Sequence, residues 1–84
     1  MHYVYILYSG RIDRYYVGRT ENIENRIADH NAGRSTFTRR GRPWVVVYKE
    51  ELETKAEAID REMEIKKRKS RRYIEKLVQS VPSR

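Results

Sequence analysis

Apolar and polar positions divide the chain into six segments. In Met1–Ser9 the residues Tyr3, Tyr5 and Leu7 share one face of an extended chain, and Val4, Ile6 and Tyr8 share the other. Both faces are apolar or aromatic, which predicts a central strand covered on both sides. Gly10–Arg14 is polar and turn-like, and Tyr15–Arg19 resumes a β-prone run, so the first two strands form an antiparallel hairpin. Thr20–Asn31 has helical spacing: Ile23 and Ile27 are four apart, Thr20 or Asn22 can cap the start, and Gly33 follows the end. Arg34–Arg42 is a basic, hydroxyl-rich loop closed by Pro43, and Trp44–Tyr48 is a third strand.

Thr54-Lys55-Ala56-Glu57 is a capping box that opens a second long helix. Its apolar face is expected to carry Ala58, Ile59, Met63 and Ile65. Ser70 caps a final helix bearing Tyr73, Ile74, Leu77 and Val78. The order strand, strand, helix, strand, helix, helix predicts a small α+β domain with helices packed on three strands. Residues 1–79 are expected to form one domain, with 80–84 a frayed tail.

Composition narrows the function. The 84 residues include no cysteine, so no disulfide or thiolate zinc site supports the core. No apolar stretch approaches the roughly 20 residues of a membrane helix, and no signal-peptide pattern opens the chain, so the expected location is cytoplasmic. Nineteen Lys and Arg against 12 Asp and Glu give a net charge of +7. An excess of this sign favours a polyanionic partner, usually nucleic acid. Six of the seven residues in Lys66–Arg72 are basic, and Arg39, Arg40 and Arg42 form a second cluster. Charge runs are commonly solvated faces, but two clusters of one sign on this chain favour phosphate contact.

Candidate chemistry lies at the margins of the helical faces. On the first helix Arg26 and His30 stack beside the Ile23/Ile27 stripe. An arginine there is often a snorkelling surface residue, and a histidine at a helix end often simply meets the dipole. On the second helix Glu62 is four after Ala58 and three before Ile65, within the inward stripe. A carboxylate there needs a partner, and two readings stand: an internal ion pair with an arginine, or a ligand for a hard cation such as Mg²⁺. Most of the seven tyrosines are expected to pack in the core or at its rim. No P-loop and no G-x-G-x-x-G motif is present.

Several short motifs, in order, carry a family resemblance. They are Tyr3-Val4-Tyr5, Tyr16-Val17-Gly18, Arg26 ten residues past Tyr16, His30-Asn31, Gly41-Arg42-Pro43-Trp44 and Arg61-Glu62. Together they resemble the GIY-YIG nuclease domain over about Met1 to Val78, most closely its small stand-alone bacterial members. The resemblance implies a three-stranded antiparallel sheet flanked by helices, and divalent-metal hydrolysis of phosphodiesters. Carried over, Tyr5 and Tyr16 bound the water site, Arg26 neutralises the phosphate, and Glu62 binds Mg²⁺ or Mn²⁺. His30 fits a phosphate-contacting or proton-handling position. Arg19, Arg39, Arg40, Arg42, Lys66, Lys67 and Lys69 are the expected nucleic-acid contacts.

The chain departs from the family pattern at three places. Tyr3-Val4 replaces Gly-Ile. Phe37, which cannot transfer a proton, stands where many relatives carry Tyr or His. Leu77 and its neighbours occupy the region where some relatives use an Asn. Three functions follow: a DNA endonuclease on branched, nicked or single-stranded substrates, a nucleic-acid-binding module that keeps the fold, or a protein-interaction domain for an acidic partner.

Overall fold

The computed structural model describes residues 1–80. The tail expected at 80–84 therefore lies, but for Ser80, outside the described residues. The elements are β1 (His2–Ser9), β2 (Arg14–Thr20), α1 (Ile23–Asn31), β3 (Val45–Leu52), α2 (Lys55–Arg68) and α3 (Arg71–Ser80), with a single 3₁₀ turn at Arg39–Gly41. The three strands form one antiparallel sheet in the order β2-β1-β3. The expected α+β architecture is the one observed.

β1 is central because it is apolar on both sides, and Val4 to Leu7 are at most 1% exposed. Strand alternation sends its side chains into two separate cores. Val4 and Ile6 join Val17 against Ala58 and Ile65 of α2, with Tyr73, Ile74 and Leu77 of α3 at the margin. Tyr5 and Leu7 join Trp44 on the opposite face, against Tyr16, Val46 and the Ile23 and Ile27 pair of α1. The sheet is thus the middle layer, with α1 on one side and α2 and α3 on the other.

The helix boundaries follow from their caps. Asn22 accepts from the Asn25 N–H at 3.0 Å, and Gly33 adopts φ of 81° just past the end of α1. Such an angle costs glycine nothing, having no Cβ. Thr54 and Glu57 satisfy each other's backbone N–H groups at 3.1 and 3.2 Å, completing the capping box. Ser70 Oγ accepts from the Tyr73 N–H at 3.1 Å and starts α3.

Two expectations need correction. β3 runs to Leu52, four residues beyond the predicted end, and starts after Trp44. Its second half, Lys49-Glu50-Glu51-Leu52, pairs fully with His2 to Tyr5, and only its polar composition hid it. A break in register between Ile6 and Leu7, at Val47, sets Val45 and Val46 apart from Tyr48–Leu52. Met63 is 59% exposed and leaves the predicted apolar face. It lies five residues after Ala58, a rotation of about 140° at 3.6 residues per turn.

The basic loop between α1 and β3 is pinned from below. The Asn31 side chain brackets Trp44, accepting from its backbone N–H at 2.7 Å and donating to its carbonyl at 3.1 Å. The Trp44 indole N–H donates to the Thr38 carbonyl at 2.6 Å. Truncating a buried tryptophan costs about 3–5 kcal/mol, so this anchor is strong. It fixes Thr38 beneath the loop.

Candidate functional site

The site forms where β2, an edge strand, has a gap in its side chains. Tyr5 lies opposite Gly18 in the β1–β2 register. A Cβ on Gly18 would stand 2.5 Å from the Tyr5 hydroxyl oxygen and 2.7 Å from Cζ. Only glycine therefore lets the Tyr5 ring lie across β2 and bring its hydroxyl to the sheet edge. The Tyr5 ring is rigid and 1% exposed, so it could not simply swing aside.

Beneath that hydroxyl is a buried polar chain. The Tyr5 hydroxyl lies 3.1 Å from His30 Nε2, and His30 Nδ1 lies 2.7 Å from the Thr38 hydroxyl. His30 and Thr38 are both 0% exposed. His30 is thus no surface residue meeting a helix dipole; α1 delivers it into the core, where both ring nitrogens have partners. Two tautomers satisfy this geometry. In one, Tyr5 donates to Nε2 and Nδ1–H donates to Thr38; in the other, both bonds reverse. The Tyr16 ring packs edge-on to His30 at 5.1 Å and to Trp44 at 6.4 Å.

Arg26 of α1, Tyr16 of β2 and Glu62 of α2 converge on Tyr5. Burial foremost raises its pKa above the ordinary 10.0, and Tyr16 and Glu62 add to this; Arg26, beside the hydroxyl, pulls the other way and loses. Tyr5 therefore rests as the neutral phenol. Burial, then the Arg26 charge, lowers the His30 pKa below 6.5, with Asp29 opposing, so the imidazole is neutral at pH 7. Arg26 is held firmly protonated, first by Tyr5. Its guanidinium also lies 3.8 Å from Asp29 and is 38% exposed.

Glu62 reaches the same edge from the opposite side of the sheet. Its carboxylate is 16% exposed, with one oxygen 3.0 Å from Arg19 Nε and the other 2.7 Å from Lys66 Nζ. An ion pair with arginine is thus present, and Lys66 completes it. As a metal ligand Glu62 would act alone, since no cluster of three or more His, Cys, Asp or Glu occurs among the described residues. One hard carboxylate oxygen at a half-open edge, with waters and substrate oxygens for the rest, is a donor set that fits Mg²⁺.

The expected nucleic-acid contacts separate into groups. Arg19 and Lys66 engage Glu62. Lys66 and Lys69 line a groove of about 790 Å³ beside β2 that also touches Tyr16. Arg40 lines a second groove that also touches Tyr16. Arg39 Nε donates to the Gly33 carbonyl at 3.1 Å and Arg42 Nε to the Arg39 carbonyl at 3.0 Å, so both help fold the loop. Lys67 is exposed on α2 and lines neither groove.

Sequence reasoning passed over Thr38 and gave Gly18 no role of its own. Thr38 carried no signal, because its partner His30 is eight residues away across an irregular loop. Gly18 did carry one: a glycine inside a strand often marks close approach of another group.

Comparison with known proteins places the chain among relatives. A UPF0213 protein of Staphylococcus haemolyticus is 48% identical over 66 residues, covering 77% of this chain and 79% of its own. A UPF0213 protein of the archaeon Natronomonas pharaonis is 44% identical over 66 residues, covering 77% and 76%. One from Clostridium perfringens is 47% identical over 68 residues, covering 80% and 72%. No solved structure matches the chain significantly. The GIY-YIG catalytic domain matches residues 1–75, most of the chain, which therefore belongs to the GIY-YIG family.

Proposed function

We propose that this protein is a divalent-metal-dependent nuclease that hydrolyses phosphodiester bonds in DNA. Family membership suggests nuclease-type activity on nucleic acid, typically with a divalent metal. The observation that carries the finer reading is the convergence on one buried phenol: Tyr5 touches His30 and is influenced electrically by Arg26, Tyr16 and Glu62.

Glu62 would hold the Mg²⁺ or Mn²⁺ ion, which supplies Lewis-acid polarisation of the phosphate and countercharge for the leaving oxygen. Arg26, permanently charged, stabilises the negative charge that grows on the phosphoryl oxygens. Tyr16 orients the attacking water. Tyr5 takes a proton from that water as its own proton passes to His30 Nε2. The water oxygen bonds to phosphorus, the bond to the 3′ oxygen breaks, that oxygen is protonated from solvent, and the proton on His30 returns through Tyr5 to solvent. A neutral phenol with a raised pKa is suited to relaying a proton, not to standing as a free base. This path uses the tautomer in which His30 Nδ1–H donates to Thr38, which leaves Nε2 open as the acceptor.

The proton path sets a pH dependence. His30 must be neutral, and its pKa lies below 6.5. The acid limb of kcat/KM should therefore have its midpoint below that value. The alkaline titration of Tyr5 should lie above 10.0. The sign for stability is the same: above 6.5 both folded and unfolded forms are neutral at this residue. As pH falls through 6.5 the unfolded state takes up the proton first and stability drops. An acid limb centred above 6.5 would remove His30 from the path.

The direct test is cleavage of plasmid, branched and single-stranded DNA with Mg²⁺, with Mn²⁺ and with EDTA, beside Glu62→Ala. Metal-dependent cutting that the variant lacks is expected. The engagement of both Glu62 oxygens by Arg19 and Lys66 favours a second reading, a binding module without catalysis. Salt-sensitive binding by both proteins, with cutting by neither, would establish that reading instead.

A further inference from the structure

Phe37 is 89% exposed, while its neighbour Thr38 is 0% exposed. The loop is not loose at this point. Thr38 is tied to His30 and Trp44, and the Thr38 and Arg39 N–H groups return to the Ser35 carbonyl at 3.3 and 3.0 Å. The fold thus buries one residue and holds the next out in water, forgoing the burial of a large aromatic ring.

Phe37 borders a groove of about 670 Å³ that also carries Arg11, Arg14, Arg40, Tyr15 and Tyr16. Three arginines and four aromatic side chains, Trp44 included, line it, with no carboxylate among the lining residues. The groove is continuous with the site described above through Tyr16, whose ring packs on His30. An acidic or purely apolar partner uses half of this lining. A nucleotide uses both halves, its phosphate meeting arginine and its base an aromatic face.

We infer that this groove is a nucleobase subsite, in which an unpaired base flanking the scissile phosphate stacks on Phe37 while its phosphates meet Arg11, Arg14 and Arg40. The inference rests on the nucleic-acid part of the proposed function, but not on catalysis. A base inside a duplex has both faces covered by its neighbours, so the subsite selects strands that are frayed, overhanging or branched near the cut. Phe37 then has a use for which proton transfer is irrelevant.

The test is affinity in EDTA, by fluorescence anisotropy, of wild type, Phe37→Ala and Phe37→Trp. The probes are a duplex with a short overhang, the same probe with abasic sites in the overhang, and a fully paired duplex of equal length. Phe37→Ala should weaken overhang binding about tenfold and leave the abasic and paired probes unchanged, and Phe37→Trp should keep or tighten it. Equal affinities for wild type and Phe37→Ala, or equal losses on all three probes, would overturn the subsite. Polyglutamate binding as tight as the overhang probe would put an acidic protein there instead. Absence of binding to every nucleic acid would overturn both this inference and the proposed function. Phe37-dependent binding without Mg²⁺-dependent cutting would keep the subsite and reject the nuclease.

Discussion

Glu62→Ala should cut DNA about a thousandfold more slowly than wild type while keeping the fold. The two halves of this expectation have separate causes. Arg19 and Lys66 side chains are 37% and 51% exposed, so water screens their pairing with Glu62. Exposed pairs of this kind are worth at most about 1 kcal/mol, which is a shift of several degrees in Tm for a domain of this size. Ala58 and Ile65, which seat α2 on the sheet, are untouched. Catalysis should lose far more, because Glu62 is the carboxylate proposed to hold the metal and no cluster of three or more metal-ligating residues occurs among the described residues to replace it. Cleavage rate and thermal melting on the same preparation separate the two. A variant that melts like wild type and still cuts within tenfold of it would exclude Glu62 from the reaction.

Tyr5→Phe should damage both properties. The substitution removes only an oxygen, yet it leaves His30 Nε2 unpartnered in a site that is 0% exposed. Leaving one buried polar atom unsatisfied costs about 1–3 kcal/mol. Loss of a proton relay costs about a hundredfold to ten-thousandfold in rate. If Tyr5 only packed against α1, the phenylalanine would restore cleavage in full once measured well below its melting temperature. A kcat within a few-fold of wild type there would show that the hydroxyl does not take part. Gly18→Ala offers the converse displacement, since a methyl group at 2.5 Å must push the hydroxyl away without removing it.

The sequence disclosed elements better than it disclosed contacts. The capping box at Thr54, the glycine after α1 and the two-faced apolar pattern of β1 are local signals, and each element formed as they required. The second half of β3 was hidden because Lys49, Glu50 and Glu51 break the apolar run, as charged residues commonly do in edge strands. The helix face of α2 was legible at Ala58, Glu62 and Ile65, where the spacing closes on a helical turn, and failed at Met63, where it does not. For the site, the resemblance named the tyrosines, Arg26 and Glu62, and the fold brought them to one edge. The Tyr5–His30–Thr38 chain was illegible, because it depends on how an irregular loop is pulled under α1 by Trp44. The electrical state of Tyr5 was illegible too, since it is decided by how far burial outweighs a nearby arginine.

The position of β2 at the border of the sheet has a consequence for how this fold can be elaborated. Tyr5 and His30 belong to the layer on one side, and Glu62 to the layer on the other. A continuous sheet separates such layers with backbone, so residues from the two can meet only where the sheet stops. A strand added beside β2, from an insertion or from a second molecule, would wall off the meeting point and silence it. Growth past β3 carries no such penalty. Further strands could therefore be added beside β3 without covering the place where the two layers meet.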